Sequence, residues 1–309
     1  MYKVSSNIVN IPRLRPLVVA LLLVALWANG AIGAETKRVR LISLIAIDEF
    51  MGRLKEPGGL FYDGTKKRLY VADSGNKRLV SFDEEFRYLS ELSHRGFSIP
   101  LGIVKTSAGE FYITDAKTGE IKFVDVKNKA IVPLKIKGLD GKKKFVAGRL
   151  SLDEKENLVV TDRLNKRILI LKRDGTLVKA IEPELKGLYG FSDVKVDSRG
   201  YIYAVDTIGR KVYIFDNTGR LVRRFGTSNN KLMRFPVSVA VDSRGYIYVL
   251  DRHSGRILVF NDKGVLQHLL LRKGVSPGEL YNPGYIYIDG KNRIYTIDGN
   301  RVQIFLEGD

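Results

Sequence analysis

The chain has 309 residues, contains no cysteine and carries a formal net charge of +18. The length supports a sizeable core, and the lack of cysteine excludes disulfides, thiolate metal sites and a cysteine nucleophile. Residues 1–34 hold Lys3, Arg13 and Arg15 and no acidic residue, so subtracting these three charges leaves +15 for residues 35–309. This excess favours nucleic acid, anionic lipid or polysaccharide, or an acidic protein as partner; the alternative is a solvated basic surface without a dedicated partner.

The N-terminus has the layout of a signal peptide. Its basic residues precede an apolar run, Leu17–Ala28, and small residues follow up to Ala34. We predict that residues 1–34 are a signal peptide cleaved near Ala31–Ala34 or, if uncleaved, an N-terminal anchor in the inner membrane with its basic end in the cytoplasm. Either outcome makes residues 35–309 periplasmic or extracellular and limits membrane contact to residues 1–34.

The rest of the chain repeats one unit six times, and each unit contains an apolar run that ends in Asp. Unit one has RLYVAD and unit five has YIYVLD. The six aspartates are Asp73, Asp115, Asp162, Asp206, Asp251 and Asp298. They are spaced 42 to 47 residues apart, which is the period of a propeller blade.

Each unit predicts a first strand before this run and a third strand after it, and five units predict a fourth strand. Unit six lacks a fourth strand, and the unused strand Val39–Ile47 lies ahead of unit one. Pairing that strand with the last unit would close the ring and remove its open edge. The predicted fold is all-β: a six-bladed β-propeller of four-stranded antiparallel blades over residues 35–309, closed by an N-terminal strand in the last blade.

Residues 236–260, PVSVAVDSRGYIYVLDRHSGRILVF, resemble the NHL repeat. Residues 190–215 are similar to it as well, whereas unit two departs, with Thr106 for the first Asp and Glu120 for the basic residue. The resemblance implies a six-bladed propeller but no single activity, because NHL relatives include lyases, lactonases, sensor domains, RNA binders and protein-binding scaffolds.

Several repeated residues are predicted to be structural. The six unit-ending aspartates should accept turn N–H groups, often together with a basic residue five positions on. Those basic residues are Arg78, Arg167, Lys211 and Arg256. Alternation along the first strands predicts six core positions, which are Leu60, Ile103, Leu150, Val194, Val239 and Ile286.

Loops that enter the first strands, and loops that follow the unit-ending aspartates, should meet at one end of the ring, which we call the mouth. Candidate ligand-binding residues are those that break the repeat there: Arg149, Asp193, Lys195, Tyr285, Lys117, Arg163, Arg252 and His253. Arg149, Arg163 and Arg252 suit a carboxylate, sulfate or phosphate. Lys195 is expected to join them or to pair with Asp193; the alternative for the whole set is solvated loop residues with local ion pairs.

A metal site receives little support from the sequence. The resemblance implies zinc held by three histidines in lyases, but this chain has only His94, His253 and His268, which are not expected to converge. Lactonase relatives use Glu, Asn and Asp around a calcium-like ion, for which only Glu110, Glu120 and Asp193 are candidates. We therefore predict no catalytic residue, no metal and no cofactor.

The basic segment KIKGLDGKKKF, residues 135–145, links units two and three. Its tip, Lys142, Lys143 and Lys144, is a candidate contact for an anionic surface; the alternative is a solvated loop. Predicted export argues against a nucleic acid partner, and so does the use of the aromatic residues in the core rather than as stacking platforms.

Together these features predict an exported, monomeric binding or scaffold propeller that presents its mouth to an acidic protein, an anionic cell-envelope polymer or an anionic small ligand. Two alternatives stay open: a metal-dependent hydrolase or lyase at the same mouth, and a ligand-sensing domain tethered by residues 1–34.

Overall fold

The computed structural model describes residues 35–125, 128, 130–226 and 232–307. The predicted signal peptide or anchor, residues 1–34, lies outside the described residues. Within them, no helix combines the length and the apolar character needed to cross a bilayer.

Four short strands precede the blades: β1 (Glu35–Lys37), β2 (Val39–Ile45), β3 (Ile47–Asp48) and β4 (Gly52–Arg53). Blade 1 contains β5 (Gly59–Asp63), β6 (Arg68–Asp73), a 3-10 turn (Ser74–Asn76), β7 (Arg78–Phe82) and β8 (Tyr88–Ser93). Blade 2 contains β9 (Pro100–Lys105), β10 (Phe111–Asp115), β11 (Ile121–Asp125) and β12 (Ala130–Pro133). Blade 3 contains β13 (Ala147–Leu152), β14 (Leu158–Asp162), β15 (Arg167–Leu171) and β16 (Leu177–Ile181).

Blade 4 contains β17 (Asp193–Val196), β18 (Ile202–Asp206), β19 (Lys211–Phe215) and β20 (Leu221–Phe225). Blade 5 contains β21 (Pro236–Val241), β22 (Ile247–Asp251), β23 (Arg256–Phe260) and β24 (Leu266–Leu270). Blade 6 contains β25 (Pro283–Ile288), β26 (Ile294–Asp298) and β27 (Arg301–Glu307). Within each blade, consecutive strands pair antiparallel.

The N-terminal strand closes the ring, as the sequence predicts. Strand β2 pairs antiparallel with β27, from Val39 opposite Glu307 to Ile45 opposite Val302, and so supplies the fourth strand of blade 6. Strand β1 adds a contact that the sequence does not predict, because it pairs parallel with β24 and makes blade 5 five-stranded. The N-terminal segment therefore joins blades 5 and 6.

The predicted core positions are confirmed. Leu60, Ile103, Leu150, Val194, Val239 and Ile286 are each at most 2% exposed. Tyrosines of the second strands pack across blade boundaries, with ring centroids 4.9 Å apart for Tyr70 and Phe111 and 5.9 Å apart for Tyr295 and Tyr62. The six first strands surround the central channel. Because successive side chains of a strand point to opposite faces, the residues that alternate with the core positions are directed towards this channel.

We predict that a chain of residues 49–309 unfolds at a clearly lower temperature than a chain of residues 35–309 and aggregates. Loss of β1 and β2 exposes the edges of β24 and β27, and such edges pair with other chains. Thermal unfolding and size-exclusion chromatography of the two chains measure the effect. The same unfolding temperature and a monomeric elution for both would contradict the closure argument.

Candidate functional site

Buried carboxylates hold the mouth loops at the end of every second strand. The six aspartates are at most 2% exposed. Asp115, for example, accepts N–H groups from Ser98 and Ile99 in the loop entering blade 2 and from Lys117 and Thr118 in the turn after β10. The predicted structural role is thus seen directly: one carboxylate fastens two mouth loops to each other.

The basic partners of these carboxylates are only partly those predicted. Arg78 and Arg167 pair with Asp73 and Asp162 at 2.8 Å, but no described ion pair joins Lys211 or Arg256 to its aspartate, so those two predictions are wrong. Blade 2 uses Lys122, at 2.9 Å from Asp115. In blade 6 the partner of Asp298 is Arg301, at 2.7 Å. It lies three positions after the aspartate instead of five, because the turn between them is only Gly299 and Asn300.

Arg149 lies inside the channel and bridges several blades. From blade 3 its Nη1 donates to the carbonyl oxygens of Gly58 in blade 1 and of Leu101 in blade 2, the latter at 3.0 Å. Its guanidinium carbon lies 4.5 Å from the ring centroid of Tyr285 in blade 6. Burial lowers the pKa of Arg149 below its ordinary value, and the nearby carboxylate of Asp193 opposes this lowering. The guanidinium of Arg149 stays cationic.

Two glycines make this position of Arg149 sterically possible. Strands β13 and β14 lose register between Ala147 and Leu150, and such a bulge redirects a side chain. A Cβ on Gly148 would meet Thr161 Oγ1, and a Cβ on Gly59 would meet the Leu101 carbonyl oxygen and lie 3.2 Å from Arg149 Nη1. The channel therefore accommodates one long side chain because the neighbouring positions have none.

Asp193, Lys195 and Tyr285 also face the channel, and of the two alternatives for Lys195 the ion pair with Asp193 is not formed. Lys195 Nζ donates to Tyr285 Oη at 2.5 Å. Asp193 is fully buried and its Oδ2 accepts from Ser238 Oγ at 2.5 Å and from the Val239 N–H at 3.1 Å. Asp193 therefore joins blades 4 and 5, while Lys195 has no carboxylate within ion-pair distance in the described part of the chain.

The other four candidates lie on the outer surface of the mouth. Arg252 donates through Nε to the Pro283 carbonyl oxygen at 3.0 Å, and the ring of His253 stacks on Phe235 with centroids 4.5 Å apart. Arg163 is exposed, with a 3.5 Å contact from Nη1 to the Ala116 carbonyl oxygen, and Lys117 is exposed. The structure thus separates the predicted set into an inner group in the channel and an outer group on the mouth.

The basic loop between blades 2 and 3 keeps its tip in solvent. Lys142, Lys143 and Lys144 are exposed, and Lys143 Nζ pairs with Glu182 at 3.0 Å. Glu182 also binds Arg167 at 2.7 Å. One of the three lysines is thus engaged with a carboxylate of the protein itself.

A cleft at the mouth, between blades 6 and 1, was not identified from the sequence. This junction cleft has a volume of about 690 Å³ and its lining includes Ile47, Arg53, Arg252, Val275 and Tyr281. It lies beside the two-residue turn of blade 6, because Gly299 and Asn300 of that turn line it. The shortened turn in the sequence was the available signal.

Exposed apolar side chains concentrate at the same end. Among the described residues, the seven most exposed large apolar side chains all lie at the mouth, six in loops and Ile47 in the two-residue strand β3, with exposure from 57% to 77%. They are Phe50, Val275, Ile47, Tyr281, Ile208, Tyr189 and Leu164. Single exposed apolar residues are ordinary, but a concentration on one surface marks a contact site.

The three histidines do not converge. His94 follows β8, His253 lies in a mouth loop of blade 5, and His268 lies within β24. In the parts of the chain that the structure describes, no group of three or more His, Asp or Glu side chains is arranged to hold a metal ion. Glu110 is paired with Arg173 at 3.0 Å.

Comparison with known proteins supports the repeat and the fold. The family model of the NHL repeat matches residues 233–260. No curated protein matches the chain in sequence.

Of three similar solved structures, two are named as enzymes and one as a propeller domain. Virginiamycin B lyase from Staphylococcus aureus has a TM-score of 0.63 at 11% identity, with 86% of this chain and 99% of that chain covered. A putative gluconolactonase has a TM-score of 0.64 at 13% identity, covering 89% and 92%. The Cps50 (Swd1) propeller domain of Myceliophteria thermophila has a TM-score of 0.62 at 13% identity, covering 87% and 92%. Identities this low show a shared fold alone.

We predict that Asp115→Asn lowers the free energy of unfolding by about 2–3 kcal/mol at pH 7, because the variant loses charge-assisted hydrogen bonds in a buried site. Burial alone would raise the pKa of Asp115, but hydrogen bonds from the Ser98 N–H and the Lys122 ammonium outweigh it and hold the pKa below 3.8. The native carboxylate therefore adds stability above the pKa of the unfolded chain and loses it as the pH falls through the lower native pKa.

Urea unfolding at pH 7 and at pH 3 measures this difference, and the gap between wild type and Asp115→Asn should narrow at pH 3. Asp262→Asn is the matched control, because Asp262 is exposed and has no described side-chain partner. A gap that is absent at pH 7, or equally large for both variants, would contradict the role given to Asp115.

Proposed function

Because this chain is an NHL-repeat β-propeller, we propose that it is an exported binding module whose mouth docks an acidic protein. One observation supports the proposal above all others: the seven most exposed large apolar side chains of the described residues all lie at the mouth. Protein-binding surfaces combine aromatic and apolar anchors with arginine. The mouth provides these together.

The charge of the mouth indicates the chemistry of the partner. The side chains of Arg53, Lys117, Arg163 and Arg252 have no carboxylate within ion-pair distance among the described residues, and all four lie on the mouth. In the junction cleft, Arg53 and Arg252 line the same cavity as Ile47, Val275 and Tyr281. An acidic segment with an apolar side chain would neutralise the arginines and fill the cleft.

Rigid display is the mechanism that we propose for this binding. Buried aspartates fasten the mouth loops, and the strand pairing of β2 with β27 closes the ring. Loops held in this way lose little conformational freedom on association, so more of the contact free energy contributes to affinity. Complementary charge adds faster association and sensitivity to salt.

The cellular setting is part of the proposal. Residues 1–34 would direct the monomeric propeller to the periplasm or the exterior, or tether it to the inner membrane. N-terminal sequencing of the mature protein separates a cleaved, free propeller from a tethered one.

We predict that Arg53→Ala/Arg252→Ala and, separately, Phe50→Ala each reduce capture of an acidic protein from cell-envelope extract at least tenfold. The double variant removes the two arginines of the junction cleft that have no ion-pair partner among the described residues, and the second removes the most exposed apolar side chain. Matched controls on an outer strand of blade 4 are Arg224→Ala and Val222→Ala, which should leave recovery unchanged.

The captured protein is then purified and titrated by calorimetry at low and high salt. An acidic protein bound more weakly by both mouth variants, with affinity that falls as salt rises, supports the proposal. Recovery unaffected by the mouth variants, equal losses in the outer-strand controls, a basic partner, or capture of an anionic polymer instead of a protein would overturn it.

A metal-assisted hydrolase or lyase is the second candidate, because solved structures that share the fold are named as a lyase and a putative gluconolactonase. Elemental analysis of the purified chain tests it. We expect well below one zinc or calcium ion per chain, because the described residues contain no cluster of metal ligands. A stoichiometric ion that survives dialysis would favour this candidate over the binding module.

A further inference from the structure

The central channel contains a cavity of about 210 Å³ with a single aliphatic ammonium group, that of Lys195, in its wall. Each of the six first strands contributes one residue to its lining at the same strand position. That position is two residues after Arg149 in blade 3 and after the equivalent residue in each other blade, and we call the level of Arg149 and its equivalents the layer above. These six residues are Phe61, Val104, Ser151, Lys195, Ala240 and Tyr287. Alternation along the strands brings them to one level. The wall is thus mostly apolar, with one cation and a few hydroxyl groups.

The mouth side of this cavity is obstructed. Arg149 crosses the channel to the carbonyl oxygens of Gly58 and Leu101, and Tyr285 packs against its guanidinium. Tyr285 also lines the cavity. A ligand would therefore reach Lys195 from the opposite end of the ring, where the hairpins between first and second strands lie.

Three polar groups at the cavity wall, on Lys195, Tyr285 and Ser151, have protons that are not used in the described hydrogen bonds. Lys195 Nζ has three protons and one described hydrogen bond, to Tyr285 Oη. Since Tyr285 Oη accepts that bond, its own proton is available to another acceptor. Ser151 Oγ accepts from the Val196 N–H at 3.3 Å and likewise keeps its proton. Burial raises the pKa of Tyr287, which remains a neutral phenol and donates to the Tyr62 carbonyl oxygen at 3.4 Å.

The charges around the cavity favour an anion. The only acid in the layer above is Asp193, which is bound to Ser238 and Val239. At the hairpin end, Asp63, Asp197, Asp242 and Asp289 are each paired with a lysine or arginine. Asp153 is the fifth hairpin aspartate and is hydrogen-bonded to Asn157. Among the described residues no carboxylate lies within ion-pair distance of Lys195, and the charge of Asp193 is opposed by that of Arg149.

We propose that the central channel binds a small organic monocarboxylate, with its carboxylate on Lys195, Tyr285 and Ser151 and its apolar body against Phe61, Val104 and Ala240. The cavity is smaller than the roughly 300–1,000 Å³ of sites for drug-sized ligands, so the ligand class is limited to small acids. This site is separate from the mouth surface and does not depend on an acidic protein binding there.

Benzoate is the probe, and benzamide is its uncharged control of the same shape. Calorimetric titration of the full chain at constant ionic strength should show saturable binding of benzoate and at least tenfold weaker binding of benzamide. Inorganic phosphate, an anion without an apolar body, should also bind at least tenfold more weakly than benzoate. Ligand that binds only the native state should also raise the unfolding temperature.

Lys195→Met removes the charge and keeps the length of the side chain; we expect a loss of at least tenfold in benzoate affinity. Ala240→Leu fills the cavity without changing any charge and should cause a similar loss, so the test holds even if one variant fails to fold. Lys263→Met, at an exposed lysine in the hairpin between β23 and β24, should leave benzoate binding as in the wild type. Circular dichroism confirms the folded state of each variant.

The proposal is overturned by any of three results: no saturable benzoate binding by the wild type at concentrations of about 10 mM, equal affinity for benzoate and benzamide, or unchanged affinity in both Lys195→Met and Ala240→Leu. Phosphate binding as tight as benzoate binding would also overturn it, because the apolar wall would then contribute nothing.

Discussion

The structure depends on one repeated interaction, the buried aspartate that closes each blade at the mouth. Its carboxylate accepts N–H groups from the loop entering the first strand and, in most blades, from the turn after the second strand, as Asp115 does. Hydrogen bonds to a charged group contribute about 1.5–3 kcal/mol each, and a buried carboxylate without them is strongly unfavourable. Because the same device recurs around the ring, the mouth loops are anchored at the same point of each blade although their sequences differ.

The places where the repeat is interrupted determine what the mouth and channel present. In blade 6 the turn shrinks to Gly299 and Asn300, and the junction cleft opens beside it. In blade 3 the channel position that is Gly59 in blade 1 and Gly102 in blade 2 is Arg149, and the lack of a side chain at position 59 leaves it room. Each interruption changes local geometry without disturbing the neighbouring blades, since every blade retains its own strand pairing.

The mouth has both paired and unpaired arginines: Arg78, Arg167 and Arg301 bind unit-ending aspartates there. At the hairpin end, Arg199, Arg244 and Arg293 are each within 2.7 Å of a turn aspartate, so each forms an ion pair within the protein. At the mouth, Arg53 and Arg252 line a cleft without a carboxylate partner within ion-pair distance among the described residues. The unpaired arginines of the mouth are the observation on which we propose an acidic partner there.

The sequence by itself determined the number of blades, the strand that closes them and the six core positions, because these follow from local alternation and a regular period. It also indicated that the unit-ending aspartates are structural. Only the tertiary structure decided that Arg149 crosses the channel while Arg163 stays in solvent, that Lys195 bonds Tyr285 instead of Asp193, and that β1 joins blade 5. The reason is physical: these contacts join residues 90 or more positions apart, or depend on a bulge and on missing side chains across the ring. The repeat specifies how each blade folds, whereas contacts across the channel exist only once the ring is closed.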